Sequence, residues 1–198
     1  MAIRYYDEAL TDKIQKWITS PNLRVLKPDE VMRLRQLGNI DNDDEPMTLP
    51  TIALSRTTEF NILQNNRKPM SYDGLMLNAT RKKSLQLNAI PIAITYQLDI
   101  YTSNYVEGDE YLRNFIFNFI NDPELTITIP YNNVDIEHKA SIELDDSVSD
   151  NSDIPERLFP GQFTRWTLIL HVNNAYLFSA PYKDNVHIGD IKINSKDK

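Results

Sequence analysis

The chain has no cysteine among its 198 residues, and this absence excludes several chemistries together. Disulfide bonds, thiolate catalysis and cysteine-bound metals all need that side chain. Glycine is also scarce, with 5 residues against 11 prolines, which favours stiff extended segments over flexible linkers. No apolar run approaches the roughly 20 residues that a membrane-spanning helix needs. The first ten residues are polar, unlike a signal peptide, so we expect a soluble protein that is made in the cytoplasm and has no membrane partner.

The composition predicts a single acidic domain with a sizeable core. Hydrophobic residues make up 41% of the chain, and the formal net charge is −7. Chains of this length usually form one domain, so we expect residues 1–198 to fold as one unit. It would contain an N-terminal helix at about 5–19, a core at about 48–178 and a polar tail at 181–198. Its negative charge disfavours general binding to nucleic acid, because phosphates carry the same sign.

The stretch 90–130 predicts a strand, a helix and a second strand. Apolar residues with a period of two predict the first strand: Ile92, Ile94, Tyr96, Leu98 and Ile100. A helical stripe follows, which must pack on a surface: Tyr111, Leu112, Phe115, Ile116, Phe119 and Ile120. Gly108 should break the strand, Asp109 should cap the helix, and Pro123 should follow its end. The next strand alternates again at Leu125, Ile127 and Ile129. We therefore predict an α+β fold, with a mixed or antiparallel sheet and this central helix packed on one face.

The remaining elements are read from periodicity and from turn residues. Helices are predicted at 5–18 and 28–37, with a short extended piece at 23–25 between them. Strands are predicted at 48–58, 134–144 and 164–173. Asn132 and Asn133 predict a hairpin turn, and Asn173 and Asn174 predict a turn into a last short segment at 175–178. The acidic stretches 39–46 and 145–153 are predicted to be loops, the second of them mobile.

Residues 59–88 are polar and weakly periodic, and they hold the two basic clusters of the chain. Loops longer than about 12–15 residues are uncommon in compact domains unless they are functional, so this segment is either an excursion onto a partner or an irregular hairpin. The basic clusters are Arg67, Lys68, Arg81, Lys82 and Lys83. We favour them as a partner or subunit interface, because copies of an acidic chain need opposite charges where they meet. Contact with nucleic acid and a solvated loop are the alternatives.

The sequence carries no catalytic signature that we recognise. It has no G-x-S-x-G elbow, no phosphate-binding glycine loop and no H-E-x-x-H helix. The three histidines are far apart, at His138, His171 and His187, and we take the first two as ordinary strand positions rather than zinc ligands. Asp145 and Asp146 lie in a predicted loop without a hydrophobic wall to shift a pKa. We therefore expect no catalytic, cofactor-binding or metal-binding residue and no enzyme activity.

Three local patterns occur in a characteristic order. The first is a Pro-Ile strand, matched by Pro91, Ile92, Tyr96, Leu98, Ile100, Tyr101 and Thr102. The second is an acidic start followed by an aromatic helix, DEYLRNFIFNFI at 109–120. The third is a late strand, matched by Arg165, Trp166, Leu168, Val172 and Asn173. Together with an amphipathic N-terminal helix, this order resembles the tail terminator, or sheath terminator, proteins of contractile-tailed bacteriophages. The resemblance covers roughly 50–178, judged on pattern alone.

The resemblance implies a structural virion protein and no enzyme. Members of that family form a hexameric ring that caps the tail tube and sheath and joins the tail to the neck of the head. DNA passes through the ring without specific binding, which suits an acidic chain. The implied partners are copies of the chain, tube and sheath proteins, and neck or connector proteins, in the virion after assembly in the host cytoplasm. Two alternatives stay open: another neck, connector or baseplate component, and a small metal-dependent hydrolase.

Overall fold

The computed structural model describes residues 3–18, 23–37, 48–57, 61–63, 70–76, 83–131, 134–153 and 163–178. Three helices lie within these ranges: α1 (Ile3–Trp17), α2 (Pro28–Leu37) and α3 (Tyr105–Asn121). The strands are β1 (Arg24–Leu26), β2 (Thr51–Arg56), β3 (Asn61–Ile62), β4 (Met70–Met76), β5 (Lys83–Thr102), β6 (Glu124–Tyr131), β7 (Val134–Asp150) and β8 (Thr164–Phe178). The structure confirms the α+β class. None of the helices described is long and apolar enough to cross a membrane.

The strands form one curled sheet around the long strand β5. Among the described strands, β1 and β2 pair in parallel, and every other pairing is antiparallel. Strand β5 has 20 residues and pairs with β2, β3, β4 and β8 along its length. Strand β7 joins β8 to β6. The predicted strand at Ile92–Ile100 is therefore the middle of the sheet.

The main core lies on one face of this sheet, beneath α1 and α3. The alternating residues that the sequence indicated on β5 and β6 are buried, and β8 contributes the buried side chains of Leu168, Leu170 and Val172. Helix α1 contributes Tyr6, Leu10 and Ile14, and α3 contributes Phe115 and Phe119. Each buried side chain of this size stabilises the fold by about 1.5–3 kcal/mol relative to exposure. The two helices also meet directly, since the Trp17 and Phe119 rings pack edge to face at 4.8 Å.

A smaller cluster covers part of the opposite face. It consists of Leu26, Val31, Ala53 and Tyr101, with Leu49 and Phe163 packed against it. Val31 belongs to α2, whose start carries Asp29 and Glu30 in the first turn as the sequence suggested. Both faces of the sheet are therefore partly covered, and Asp99 and Tyr101 on the second face of β5 are withdrawn from water.

The end of β7 corrects one prediction from the sequence. Residues 145–153 were expected to form a mobile loop, but β7 continues to Asp150, and Val148, Ser149 and Asp150 pair with β8. The register of pairing with β8 shifts between Leu144 and Val148. A bulge or similar irregularity in β7 therefore accommodates the acidic residues between them. Backbone pairing with β8 outweighs the low strand propensity of aspartate and serine here.

The Asn173-Asn174 pair corrects a second prediction. It does not turn the chain, because β8 runs without a break from Thr164 to Phe178. Ile94 pairs with Val172 and Ile92 with Ala175, so β8 holds one more residue than β5 in this interval. Asn174 takes the left-handed conformation, with φ of 57°, which asparagine tolerates better than most residues. The pair therefore forms a β-bulge.

Other predictions are confirmed or lie outside the described residues. Helices α1 and α2 and strands β1 and β2 occur where the sequence indicated. Tyr131 pairs with Val134, as the predicted β6–β7 hairpin requires. Strands β4 and β5 pair from Met70 to Met76, so the described part of 59–88 contains a hairpin. The loop at 39–46 and the tail at 181–198 lie outside the described residues.

Candidate functional site

Helix α3 begins earlier than the sequence suggested. Its N-cap is Asn104, whose side-chain oxygen accepts a hydrogen bond from the backbone N–H of Glu107 at 2.9 Å. Asp109, the predicted cap, lies inside the helix and cannot satisfy the first N–H groups. The far end is as predicted, since the helix ends at Asn121, just before Pro123.

Gly108 also lies inside the helix and does not break the strand. A Cβ atom at this position would lie 3.0 Å from the ring of Trp166 and 3.0 Å from Oγ1 of Thr102. Glycine is therefore needed for the close approach of α3 to β8, and not for a turn. Periodicity alone gave no sign of this contact, because it depends on residues distant in sequence.

The inner face of α3 packs on the sheet as the stripe predicted. Phe115 and Phe119 are only 3% and 2% exposed, and three neighbours are partly buried beside them: Tyr111, Leu112 and Ile116. Ile120 is the exception, because it is 64% exposed. Ile120 follows Phe115 by five residues, or about 140° around the helix. Its side chain therefore lies outside the face of α3 that packs on the sheet.

The outer face of α3 is apolar and exposed. Val106, Phe117 and Ile120 are 81%, 60% and 64% exposed. Their spacing of eleven and three residues places them in one line along the helix, at about 100° per residue. Glu110 and Arg113 are exposed and share that line. We call these five residues the outer face of α3. Phe117 and Ile120 are one turn apart and form an exposed apolar patch at one end of this line, while Glu110 and Arg113 separate them from Val106; exposed apolar patches of this kind often mark contact sites.

Exposed carboxylates lie beside the start of α3. Asp109 and Glu110 are exposed on the helix, and Asp150 is exposed at the end of β7. Hydrogen bonds from the Ser152 side chain and backbone, and to a smaller extent from Tyr105, lower the pKa of Asp150 below its usual value. Tyr105 is the first residue of α3, so this end of β7 adjoins the start of the helix. We call this region the acidic end of the molecule.

The predicted basic interface is located only at one residue. Arg67, Lys68, Arg81 and Lys82 lie outside the described residues. Lys83 is the first residue of β5 and pairs with Met76, the last residue of β4. Lys83 therefore lies at the loop end of the β4–β5 hairpin, directly after residues 77–82 in the sequence.

A buried ion pair joins the two strands that carry the resemblance. The guanidinium of Arg165 donates from Nε and Nη2 to the two carboxylate oxygens of Asp99, at 3.2 and 3.1 Å. Thr167 donates to the same carboxylate at 2.6 Å. Gln97 donates to it from Nε2 at 3.0 and 2.9 Å. Arg165 also lies over the ring of Tyr101, 5.5 Å from its centroid. Each carboxylate oxygen is satisfied, so this network holds β5 and β8 together.

A second carboxylate fastens α1 to the sheet. Asp7 accepts hydrogen bonds from Nη1 of Arg56 at 3.2 and 2.9 Å and from the hydroxyl of Tyr96 at 2.6 Å. Burial raises the pKa of Asp7 and also that of Tyr96. A cavity of about 420 Å³ lies beside this cluster. A raised carboxyl pKa next to a cavity is a feature of catalytic sites, but structural ion pairs show it as well. The sequence patterns gave no indication of this cluster.

Helix α1 also covers strand β6. Within the described residues β6 pairs only with β7, so one of its edges has no strand beside it. The amine of Lys13 donates to the backbone oxygen of Glu124 at 2.7 Å and to Asp122 at 2.5 Å. Lys13 therefore satisfies one backbone oxygen at the start of β6, and a cavity of about 420 Å³ lies between α1 and the next residues of the strand.

The two described histidines occupy strand positions, as predicted. His138 on β7 is buried, and its Nε2 lies 2.9 Å from the backbone oxygen of Asn174. His171 on β8 pairs with Glu143, one position from the pairing of Ile142 with Val172, so it lies on the opposite face of the sheet from His138. His187 lies outside the described residues. In the ranges that the structure covers, no three histidine or acidic side chains are placed to hold a metal ion.

His138 should make folding stability sensitive to pH. Burial lowers its pKa below 6.5, so the unfolded chain binds this proton more readily than the folded one. The contribution of His138 is complete above about pH 6.5 and falls as the pH decreases through that value toward the folded pKa. We expect the urea midpoint of the unmodified protein to fall more steeply between about pH 7.5 and 5 than that of His138→Gln. His171→Gln serves as the control. Equal slopes for His138→Gln and the unmodified protein would contradict this role.

No family model and no curated protein matches the sequence. Three structural features of the described residues bear on function. These are the outer face of α3, the acidic end beside it, and the position of Lys83 at the opposite end of β5.

Proposed function

We propose that this protein is a structural component of a phage virion that assembles with copies of itself into a hexameric ring. Such a ring would cap the tail tube and sheath and join the tail to the neck, as in the tail terminators that the sequence resembles. The observation that carries the proposal is the exposed apolar outer face of α3. A surface of this kind is suited to holding another protein rather than to transforming a small molecule.

The outer face of α3 would form the centre of a subunit contact. The inner face of the helix is already packed, so exposure of Val106, Phe117 and Ile120 does nothing for the isolated fold. Burial of such side chains gains about 25 cal/mol per Å² of apolar surface. A stable interface buries roughly 800 Å² on each partner, so neighbouring polar residues must take part. Interfaces usually have a polar rim around an apolar centre, and Glu110 and Arg113 are placed to form part of such a rim.

The arrangement of the matched residues supports the resemblance. The Pro-Ile strand lies in β5 and the late Arg-Trp strand lies in β8, and the two are direct partners. Ile100 pairs with Trp166 and Tyr101 pairs with Arg165. The patterns that carry the resemblance are therefore parts of one packed unit, which is what a shared fold requires.

The charge of the chain suits a ring through which DNA passes. Each subunit carries a formal charge of −7, so a ring of copies would repel the phosphate backbone wherever acidic residues line its hole. Sliding without retention needs few phosphate contacts, since each contact adds affinity. A neck, connector or baseplate component would use the same contact face, and the number of subunits in the ring would distinguish it.

A charge placed on the outer face of α3 tests the proposal. We expect light scattering to give a mass near six times that of the 23.0 kDa chain for the unmodified protein. Phe117→Glu should reduce this mass toward that of a monomer. At a concentration below assembly it should leave the melting temperature unchanged, because the side chain is not part of the core. Met32→Glu is a matched control, since Met32 and Phe117 are both 60% exposed.

Two results would count against this proposal. One is an unmodified protein that stays monomeric at high concentration and forms no ring on assembled tails. The other is a Phe117→Glu variant that assembles as well as Met32→Glu, which would remove the outer face of α3 from the contact.

A further inference from the structure

The outer face of α3 has the spacing of a seam between two packed helices. Its five residues follow one another after four, three, four and three positions: Val106, Glu110, Arg113, Phe117 and Ile120. The a and d positions of a heptad alternate in the same way, and these are the positions at which one helix packs on another. All five side chains are exposed, and the helix has 17 residues, enough for two heptads. The spacing therefore fits a second helix laid along this face.

The order of chemistry along the seam is self-complementary. From the start of α3 it is apolar, acidic, basic and apolar: Val106, Glu110, Arg113 and Phe117. The spacings of four, three and four are the same in both directions. Two copies of α3 laid antiparallel therefore place Val106 opposite Phe117 and Glu110 opposite Arg113, on both halves of the pair. Within the described residues, neither Glu110 nor Arg113 belongs to an ion pair, so both are available to a second copy.

The charges on the seam select the antiparallel direction. A parallel pair would set Glu110 against Glu110 and Arg113 against Arg113, and like charges oppose association. The antiparallel register also keeps the acidic starts of the two helices apart. Asp109, which is exposed beside the seam, lies level with Asn114 of the second copy and not with the same aspartate. The face therefore matches a second copy of itself in one direction and one register.

We propose that α3 of one copy packs antiparallel on α3 of a second copy, across a two-fold axis that passes between Glu110 and Arg113. This inference rests on the proposed self-assembly through the outer face of α3, and it names the surface of the second copy that this face meets. The apolar pairs at the two ends contribute affinity, while the two central ion pairs fix direction and register. A contact of this symmetry closes at two copies, so a ring of six needs a second, different contact between dimers.

Reversal of the two central charges tests the contact. Glu110→Arg alone places cations opposite each other on both halves of the pair, and Arg113→Glu alone places anions there. We expect each variant to raise the concentration for half assembly by about tenfold or more. An equimolar mixture of the two variants should assemble again, because positions 110 and 113 of unlike copies then carry opposite charges. A chain with both changes should also assemble.

Two matched variants control for the change of charge. Asp12→Arg and Lys16→Glu make the same kinds of change at exposed positions on α1, and each should assemble like the unmodified protein. Melting temperatures at a concentration below assembly establish that every variant folds. If Glu110→Arg and Arg113→Glu each assemble normally, or if their mixture stays dissociated, Glu110 and Arg113 do not face each other. The outer face of α3 would then meet another surface or another protein, and the proposal would be wrong.

Single cysteines test the direction and register, since the chain has no cysteine of its own. An equimolar mixture of Val106→Cys and Phe117→Cys should form a cross-linked dimer in an oxidising buffer, because opposite positions of the seam are close enough for a disulfide. Either variant alone should cross-link no more than Met32→Cys. Equal residues of the two copies are offset by the eleven positions between 106 and 117, or about 16 Å along the pair. Cross-linking of Val106→Cys with itself would indicate a parallel pair and overturn the proposal.

The cross-linking result also separates this contact from the ring. If the unmodified protein forms rings but the cysteine mixture does not cross-link, the ring uses another surface. The α3 contact would then be wrong while the ring proposal stands. If the mixture cross-links but the unmodified protein forms no ring, the α3 contact stands and the proposed ring fails.

Discussion

Replacing Phe115 with alanine should lower the free energy of unfolding by about 3–5 kcal/mol. The side chain is 3% exposed and lies in the main core between α3 and the sheet. The loss combines the transfer energy of the ring with the cavity that remains. Single domains are stable by only about 5–15 kcal/mol, so this change removes a large part of the total. Thermal melting and urea unfolding at a concentration below assembly would measure it.

Phe117 provides a matched control on the same helix. It is the same residue type two positions away, but it is 60% exposed. Phe117→Ala should change the free energy of unfolding of the monomer by no more than about 0.5 kcal/mol. It should instead weaken assembly, because it lies on the outer face of α3. If Phe115→Ala left monomer melting unchanged, the assignment of the inner face to the core would be wrong.

Replacing Arg165 with alanine should have the second large effect on stability. The Asp99 carboxylate is completely buried and accepts two hydrogen bonds from Arg165. Loss of the guanidinium leaves a buried negative charge with only neutral partners, which typically costs about 3–5 kcal/mol. The change also removes the contact of Arg165 with the Tyr101 ring. Urea unfolding at neutral pH measures the loss.

Two further variants make this result specific. Asp99→Leu combined with Arg165→Leu removes both charges and should recover much of the stability, since a buried pair is often replaceable by apolar residues. Lys139→Ala breaks an ion pair with Glu124 in which both side chains are more than half exposed, and it should have little effect. If Arg165→Ala were no more destabilising than Lys139→Ala, the buried ion pair would not have the structural role assigned to it.

Local periodicity predicted the middle of the fold well. The alternation on β5, from Ile92 to Ile100, and that on β6, from Leu125 to Ile129, give the buried face directly, because a strand turns alternate side chains to one side. The stripe on α3 gave Phe115 and Phe119 for the same reason at the helical period. Each of these patterns needs only neighbouring residues, so no knowledge of the tertiary contacts was required.

Features that depend on distant partners were missed. Gly108 was taken for a strand break because its contact with Trp166 joins residues far apart in sequence. The end of β7 looked like a loop because only its pairing with β8 makes it a strand. Asp99 alternates with the buried residues of β5 and so lies on the second face of the strand, but nothing local showed that Arg165 would neutralise it.

The same contrast between local patterns and distant contacts holds for the candidate site. The basic cluster was visible as a run of charge, and the structure locates Lys83 alone from it, at the end of β5. The sequence did not predict the whole outer face of α3, because the helical stripe assigned Ile120 to the core. An exposed second line of apolar residues becomes evident only once the extent of the sheet beneath the helix is known.

Negative-stain images of the purified protein would show directly whether the chain assembles into rings. We expect uniform rings with a central hole and six-fold averages, and we expect the Phe117→Glu variant to form none. Particles of monomer size at high concentration, with no ring at the end of assembled tails, would contradict this expectation.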